Sequence, residues 1–342
     1  MKRNLGFLLL LLVGGSFLIW WWSPRTPKDP RSAENPKPVP SCNVGYQEIA
    51  LYRHVFVAQA KGFFKEESIE VNLRSFASAN QLMQALIAGD LDATGLSNFE
   101  VALSVEGKDP DRFELVNVLL WGERSYPDFI LVRSDGGISG FKELEGRTIG
   151  VHPGSATGAF SRTVLQKEGV DIGKCNFIEV TPATMQATVV AKRVDALYCM
   201  DPVATSLLET KQCTVLLANP LAKLFDPPIP ISGTALSKKF LRERPDYARR
   251  VVRALEKAIR YLREPGHEKE VADYIAKYTP ISVELATRMN PSEYWTLAEI
   301  DRKRVQALAD RFLELKIVDK HVNVEDFIVP ADYLNPPDAG KR

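Results

Sequence analysis

Few stretches of this 342-residue chain set small side chains next to free backbone donors, and the clearest is Gly154-Ser155-Ala156-Thr157-Gly158. At a helix start such a run offers unpaired N–H groups and two hydroxyls, which can hold an anionic or carbonyl group. The same residues equally make an ordinary Ser or Thr N-cap. Ser97-Asn98-Phe99-Glu100 offers similar chemistry. Ser97 and Glu100 have capping-box spacing, which leaves Asn98 as the freer contact. Tyr126 can stack on a planar ring, donate a hydrogen bond, or simply pack at the edge of a domain.

Other chemistries lack their residues. His54, His152, His267 and His321 are scattered, without metal-ligand spacing. His152 alone lies near a candidate loop and reads as a loop residue. Cys42, Cys175, Cys199 and Cys213 form no CxxC pair. A disulfide among the last three needs an oxidising compartment; ordinary buried thiols fit the sparse count. There is no GxSxG elbow, no Gly-Lys-Ser phosphate loop and no dinucleotide fingerprint. With 44 Lys plus Arg against 43 Asp plus Glu, the net charge of +1 carries no nucleic-acid footprint. No nucleophile, base and orienting group converge, so the sequence reads as a binding protein rather than an enzyme, with no metal or cofactor.

The elements that must position these residues alternate. Ile69, Val71 and Leu73 interleave with polar residues as a half-buried strand, and Leu115 to Leu120 reads as one continuous covered strand. Helical faces precede Gly62 and Gly89. The same order recurs with strands at 148–151, 177–180, 195–198 and 214–217. From Lys238 the chain reads as almost wholly helical, with Pro245 in a first turn and a stripe of Val251, Val252, Leu255, Ile259 and Leu262. Strand–helix alternation implies α/β architecture with parallel sheets covered on both faces, and the length suits two packed units.

The N-terminus sets the expected compartment. After Met1-Lys2-Arg3-Asn4, Leu5 to Trp22 contains no charge and ends in Trp20-Trp21-Trp22. Such a run approaches the ~20 residues that span a bilayer, and indoles favour its headgroup layer. Residues 1–22 are read as an uncleaved signal-anchor helix. Residues 23–41, with Pro24, Pro27, Pro30, Pro36, Pro38 and Pro40, are read as an extended spacer. The rest is expected outside the cytoplasmic membrane.

The order of motifs resembles the sulfonate, taurine and thiamine-precursor binding proteins of ABC importers. The resemblance rests on Ala60-Lys61-Gly62-Phe63-Phe64-Lys65-Glu66, Gln84-Ala85-Leu86-Ile87-Ala88-Gly89-Asp90, Phe141 to Ser155, Arg193-Val194-Asp195-Ala196-Leu197 and Met200-Asp201-Pro202. It implies a type II periplasmic-binding-protein fold: two α/β lobes joined by a two-stranded hinge, with a helical C-terminal part. One lobe would be 42–131 plus 232–334 and the other 132–231, hinged near Ile130-Leu131-Val132 and Ile231-Ser232-Gly233. It further implies capture of a small solute, a sulfonate-like anion or a heteroaromatic vitamin precursor, for an ABC permease and its ATPase. The alternatives are a membrane-anchored sensor that presents solute to a signalling partner, and a pyrimidine-precursor biosynthetic enzyme, whose cysteine cluster this chain lacks.

Open α/β sheets bind ligands beyond the carboxyl ends of their strands. On that rule, and with the resemblance favouring ligand contact at 154–157, the expected site comprises Gln47, Ser97, Asn98, Tyr126, Ser155, Ala156, Thr157, Thr181 and Asp201. Asp201 matches an acidic position before proline, where it either accepts from a ligand amine or caps the following helix.

Overall fold

The computed structural model describes residues 41–123, 125–152 and 155–335. The expected anchor at 1–22 and nearly all of the spacer at 23–41 lie outside these. Among the described residues no helix is long and apolar enough to cross a membrane.

Two sheets form. The first contains β1 (Ser41–Tyr46), β2 (Glu70–Ser75), β3 (Ala93–Asn98), β4 (Phe113–Leu115), β5 (Val118–Trp121), β11 (Ile229–Ser237) and β12 (Glu293–Trp295). The second contains β6 (Asp128–Arg133), β7 (Thr148–Val151), β8 (Asn176–Glu179), β9 (Ala196–Met200) and β10 (Cys213–Ala218). Their orders are β12-β5-β11-β3-β1-β2 and β10-β6-β9-β7-β8.

The sheets are mixed, not wholly parallel as the alternation implied. β1 runs parallel to β2 and β3, and β7 parallel to β8 and β9. β11 is antiparallel to β3 and β5, and β6 is antiparallel to β9 and β10. The cause is connectivity: β6 and β11 follow the two segments that pass between the sheets, so each enters its sheet from the carboxyl ends of its neighbours. The register records this, with Asp128 opposite Met200 and Ile229 opposite Trp121. The chain therefore crosses over 122–127 and 219–228. The triplets expected at the hinge lie inside β6 and β11 and pair within one sheet each.

The apolar run Leu115 to Leu120 is not one strand. It breaks at Val116 and Asn117 because the Asn117 carboxamide accepts the Thr234 amide of β11 at 3.1 Å. The C-terminal part is helical as read, apart from β12, which three residues of context-dependent edge pairing had concealed.

Helices cover both faces. In β6, Phe129 and Leu131 enter one apolar cluster while Ile130 and Val132 enter another, the period-2 alternation of a strand buried on both sides. The first sheet packs beneath α1 (Arg53–Ala60), α3 (Ala79–Ala88), α4 (Phe99–Lys108) and α9 (Pro245–Arg263), whose Val251, Val252, Leu255 and Ile259 are buried. All four cysteines are free thiols, three of them buried.

Gly233 has no room for a side chain. A Cβ there would lie 2.5 Å from the Asn117 carbonyl oxygen, a backbone atom that no rotamer change can move. Gly233→Ala should cost at least the ~1–3 kcal/mol typical of overpacking, read as a lower urea midpoint with an unchanged slope. An unchanged midpoint would show that the break beside Asn117 is soft.

Candidate functional site

Because the parallel strands of each sheet end where the chain crosses, both sets of strand ends meet at one cleft of about 1050 Å³. The first sheet contributes Gln47 after β1, Asn98 ending β3 and Trp121 ending β5. The second contributes His152 after β7, Thr181 after β8 and Asp201 after β9. A third wall comes from Met289 and Asn290, between α11 (Val283–Arg288) and β12.

The crossings are tied together at the base. Asn219 sits in the left-handed region (φ 49°, ψ 55°), which asparagine tolerates better than most residues. That geometry lets its side chain donate to the Gly122 carbonyl at 3.1 Å while its amide donates to the Asp128 carbonyl at 3.1 Å. The Asp128 side chain is fully buried and accepts the Tyr198 hydroxyl at 2.9 Å, leaving its other oxygen without a partner. Burial pushes this carboxyl up to about 7, against the pull of the Tyr198 bond and the Leu221 backbone.

Arg53, at the start of α1, reaches the cleft although only 7% exposed. Its Nε donates to the Ala50 carbonyl at 3.2 Å and one Nη to the Asn290 carbonyl at 3.3 Å. Asn290 in turn donates to the Tyr126 carbonyl at 2.8 Å. Asp201 faces this group electrostatically, and each favours the charged form of the other. One Asp201 oxygen accepts from the Thr205 amide at 3.2 Å and its hydroxyl at 2.6 Å, capping α7 (Val203–Glu209); the other is buried without a partner. The capping reading of Asp201 is thus realised through one of its two oxygens.

Of the expected residues, the fold brings Gln47, Asn98, Thr181 and Asp201 to the cleft wall. Gln47 accepts from the Tyr52 hydroxyl at 3.3 Å, and Thr181 shares a hydrogen bond with Thr184 at 2.9 Å. Ser97 and Tyr126 are not in that wall. Ser97 is buried and shares a 2.8 Å hydrogen bond with Thr94, inside the sheet. The Tyr126 ring packs on Phe129 in the second sheet's core, with centroids 5.6 Å apart. Ser155, Ala156 and Thr157 begin α5 (Ser155–Lys167), but their side chains and Gly154 lie outside the described residues.

Sequence reasoning missed Arg53, Glu100 and Trp121. The capping box that had engaged Glu100 does not form, since α4 starts one residue later with Asn98 as an N-cap making no side-chain bond. Glu100 instead lines the cleft, half-buried, and burial pushes its carboxyl up to about 7. Trp121 is 6% exposed and its indole N–H has no acceptor among the described residues. The available signal was position alone: each lies within a few residues of a strand's carboxyl end.

A sequence profile described as NMT1/THI5 like matches residues 52–268. The chain belongs to this family. A Brucella abortus (strain 2308) protein, provisionally named a binding protein, is 23% identical to this NMT1/THI5-like chain over 287 residues, covering 81% of it and 86% of the relative. The periplasmic aliphatic sulphonate binding protein SsuA of Escherichia coli superposes with a TM-score of 0.69 at 17% identity, over 85% of this chain and 92% of that one. The desulfurization enzyme DSZB superposes with a TM-score of 0.62 at 18% identity, over 86% and 98%. These likenesses show the fold: that of the periplasmic binding proteins, here two α/β lobes joined by two crossing segments.

In this NMT1/THI5-like chain Asp128 should make stability depend on pH. Its folded value lies above the ordinary carboxylate range, so between about pH 4 and 7 the unfolded chain releases its proton first, and stability falls as pH rises. From about pH 5.5 to 8 this one group should remove about 2 kcal/mol. Thermal unfolding at both pH values should show Asp128→Asn losing less than the parent chain. Equal losses would mean that Asp128 is not held protonated.

Proposed function

We propose that this chain is the extracytoplasmic solute-binding subunit of an ABC importer, capturing a small organic solute reversibly between its lobes. The carrying observation is the cleft itself. It is walled by strand ends of both sheets, and polar atoms of Trp121, Ser232 and Asp201 beside it have no partner among the described residues. Ligand sites are typically concave and mostly apolar, with a few convergent polar groups. Gln47, Asn98, Thr181 and Asp201 would supply the polar contacts, joined by the helix start at 155–157.

The remaining parts follow from the same reading. Residues 1–22 would anchor the chain in the cytoplasmic membrane and 23–41 would hold the binding part away from it. Lobes of 42–131 plus 232–334 and of 132–231, their limits shifted by a few residues to the crossings, would close on the solute by bending at 122–127 and 219–228. The closed face would then meet the permease and its ATPase. The name of SsuA supports transport, and that of DSZB keeps an enzyme in view. Against catalysis stands the one cysteine of the cleft wall: Cys199 is 1% exposed, and burial pushes its thiol up, away from the thiolate that nucleophilic chemistry needs.

A thermal-shift screen of the full chain in mild detergent against organic amines, pyrimidines, flavins, sulfonates and nitrate tests the proposal. One class should raise the melting temperature with dose, by an amount equivalent to about 2.7 kcal/mol at a hundredfold excess over Kd. Asn98→Ala should weaken affinity about tenfold with little change in the empty protein. A flat response to every class would refute solute capture.

A further inference from the structure

The described part of the cleft wall does not favour a bare anion. Its lining includes the charged side chains Arg53, Glu100, Lys108, Asp109 and Asp201. Lys108 pairs with Asp319 at 3.8 Å and Asp109 with Arg112 at 3.1 Å. Arg53 and Asp201 offset one another, and two of the Arg53 nitrogens are already taken up by backbone carbonyls. Glu100 remains. Among the described residues it has no hydrogen-bond or ion-pair partner, and only burial moves its carboxyl. In its ionised form such an acid repels a sulfonate or nitrate, whereas a protonated nitrogen beside it would favour the carboxylate that burial disfavours.

A second, independent observation concerns the apolar wall. The sequence has five methionines, and the four after Met1 all line the cleft: Met83 of α3, Met185 of α6 (Pro182–Val190), Met200 ending β9 and Met289. They come from three elements and the loop after α11, and from both lobes, so no helical or strand periodicity gathers them. Thioethers are polarisable and adapt to irregular apolar shapes, and they make favourable contacts with aromatic rings. Trp121 adds an aromatic face with an unpartnered N–H, and Ser232, 1% exposed, adds an unpartnered hydroxyl. Register places Ser232 beside Asn98 on one side and Leu119 on the other, at the cleft floor. At about 1050 Å³ the space is far larger than a nitrate needs and suits a ligand of drug-like size.

Resting on the solute-binding reading above, we infer that the solute has an apolar or aromatic body and a nitrogen headgroup, protonated or bearing N–H donors. The nitrogen sits at Glu100 and the body lies against Met185, Met200, Met289 and Trp121.

Matched probes separate the headgroup from the body. The full chain in mild detergent would be titrated with 2-phenylethylamine, 2-phenylethanesulfonate and ethylamine, following tryptophan fluorescence and melting temperature. Phenylethylamine should bind, the sulfonate should not, and ethylamine should bind at least tenfold more weakly than phenylethylamine. Glu100→Gln should weaken phenylethylamine at least tenfold while leaving the empty protein as stable or more so; Met200→Ser should weaken it severalfold. Tighter binding of the sulfonate, or amine affinity indifferent to Glu100→Gln, overturns this inference and leaves solute capture standing. If neither these probes nor any class in the wider screen binds, both fall together.

Discussion

One asparagine holds the two halves of the molecule in register. Asn219 donates to Gly122 on the other crossing and to the first residue of β6, so the two connections run side by side instead of wandering apart. Asp128 extends the tie into the second sheet through Tyr198. Everything at the cleft depends on this knot, because it decides which strand ends face one another. The halves also meet away from the knot: the Phe160 ring of the second lies 5.6 Å from Phe312 of the first, Arg53 faces Asp201, Asn290 donates to the Tyr126 carbonyl, and the partly exposed Arg288–Glu209 pair lies at 2.8 Å. Exposed pairs of that kind contribute little and re-form easily. Two adjacent straps resist sliding, and bending at them must part or carry along the contact of Phe160 with Phe312.

Much of this architecture could be read from residues. The stripe of Val251, Val252, Leu255 and Ile259 is buried as its spacing required, and Gly62 and Gly89 take positive φ at helix ends where a side chain would be strained. What could not be read was strand direction. Periodicity reports which faces are covered, and β6 and β11 are covered like any parallel strand. Their antiparallel course follows from where the chain re-enters each sheet, a long-range fact. The break at Asn117 was hidden for a similar reason, since its cause is an amide of β11, over a hundred residues away.

The site was legible in part. The rule that strand ends face ligand located Gln47, Asn98, Thr181 and Asp201 without knowledge of the crossings. It failed one residue away at Ser97, which is buried with its hydroxyl turned back to Thr94, where the register of β3 against β11 shifts. Glu100 was lost to a local rule: Ser-x-x-Glu spacing is a good sign of a capping box, yet starting the helix at Phe99 frees the glutamate to face the cleft. Arg53 was lost because a cation beside apolar helix residues reads as surface, whereas here the Ala50 and Asn290 carbonyls receive it in the interior. Local patterns state what a residue can do; packing decides which option it takes.

The methionine-rich wall carries a consequence of its own. Met83 and Met185 are 1% exposed, whereas Met200 and Met289 are half-buried. A thioether that meets peroxide becomes a sulfoxide, which is polar, chiral and bulkier. Half of this lining is thus open to weathering in an oxidising surrounding, and a resident guest would shield it. A vacant copy would age faster than an occupied one, and its taste for apolar guests would fade before its fold did.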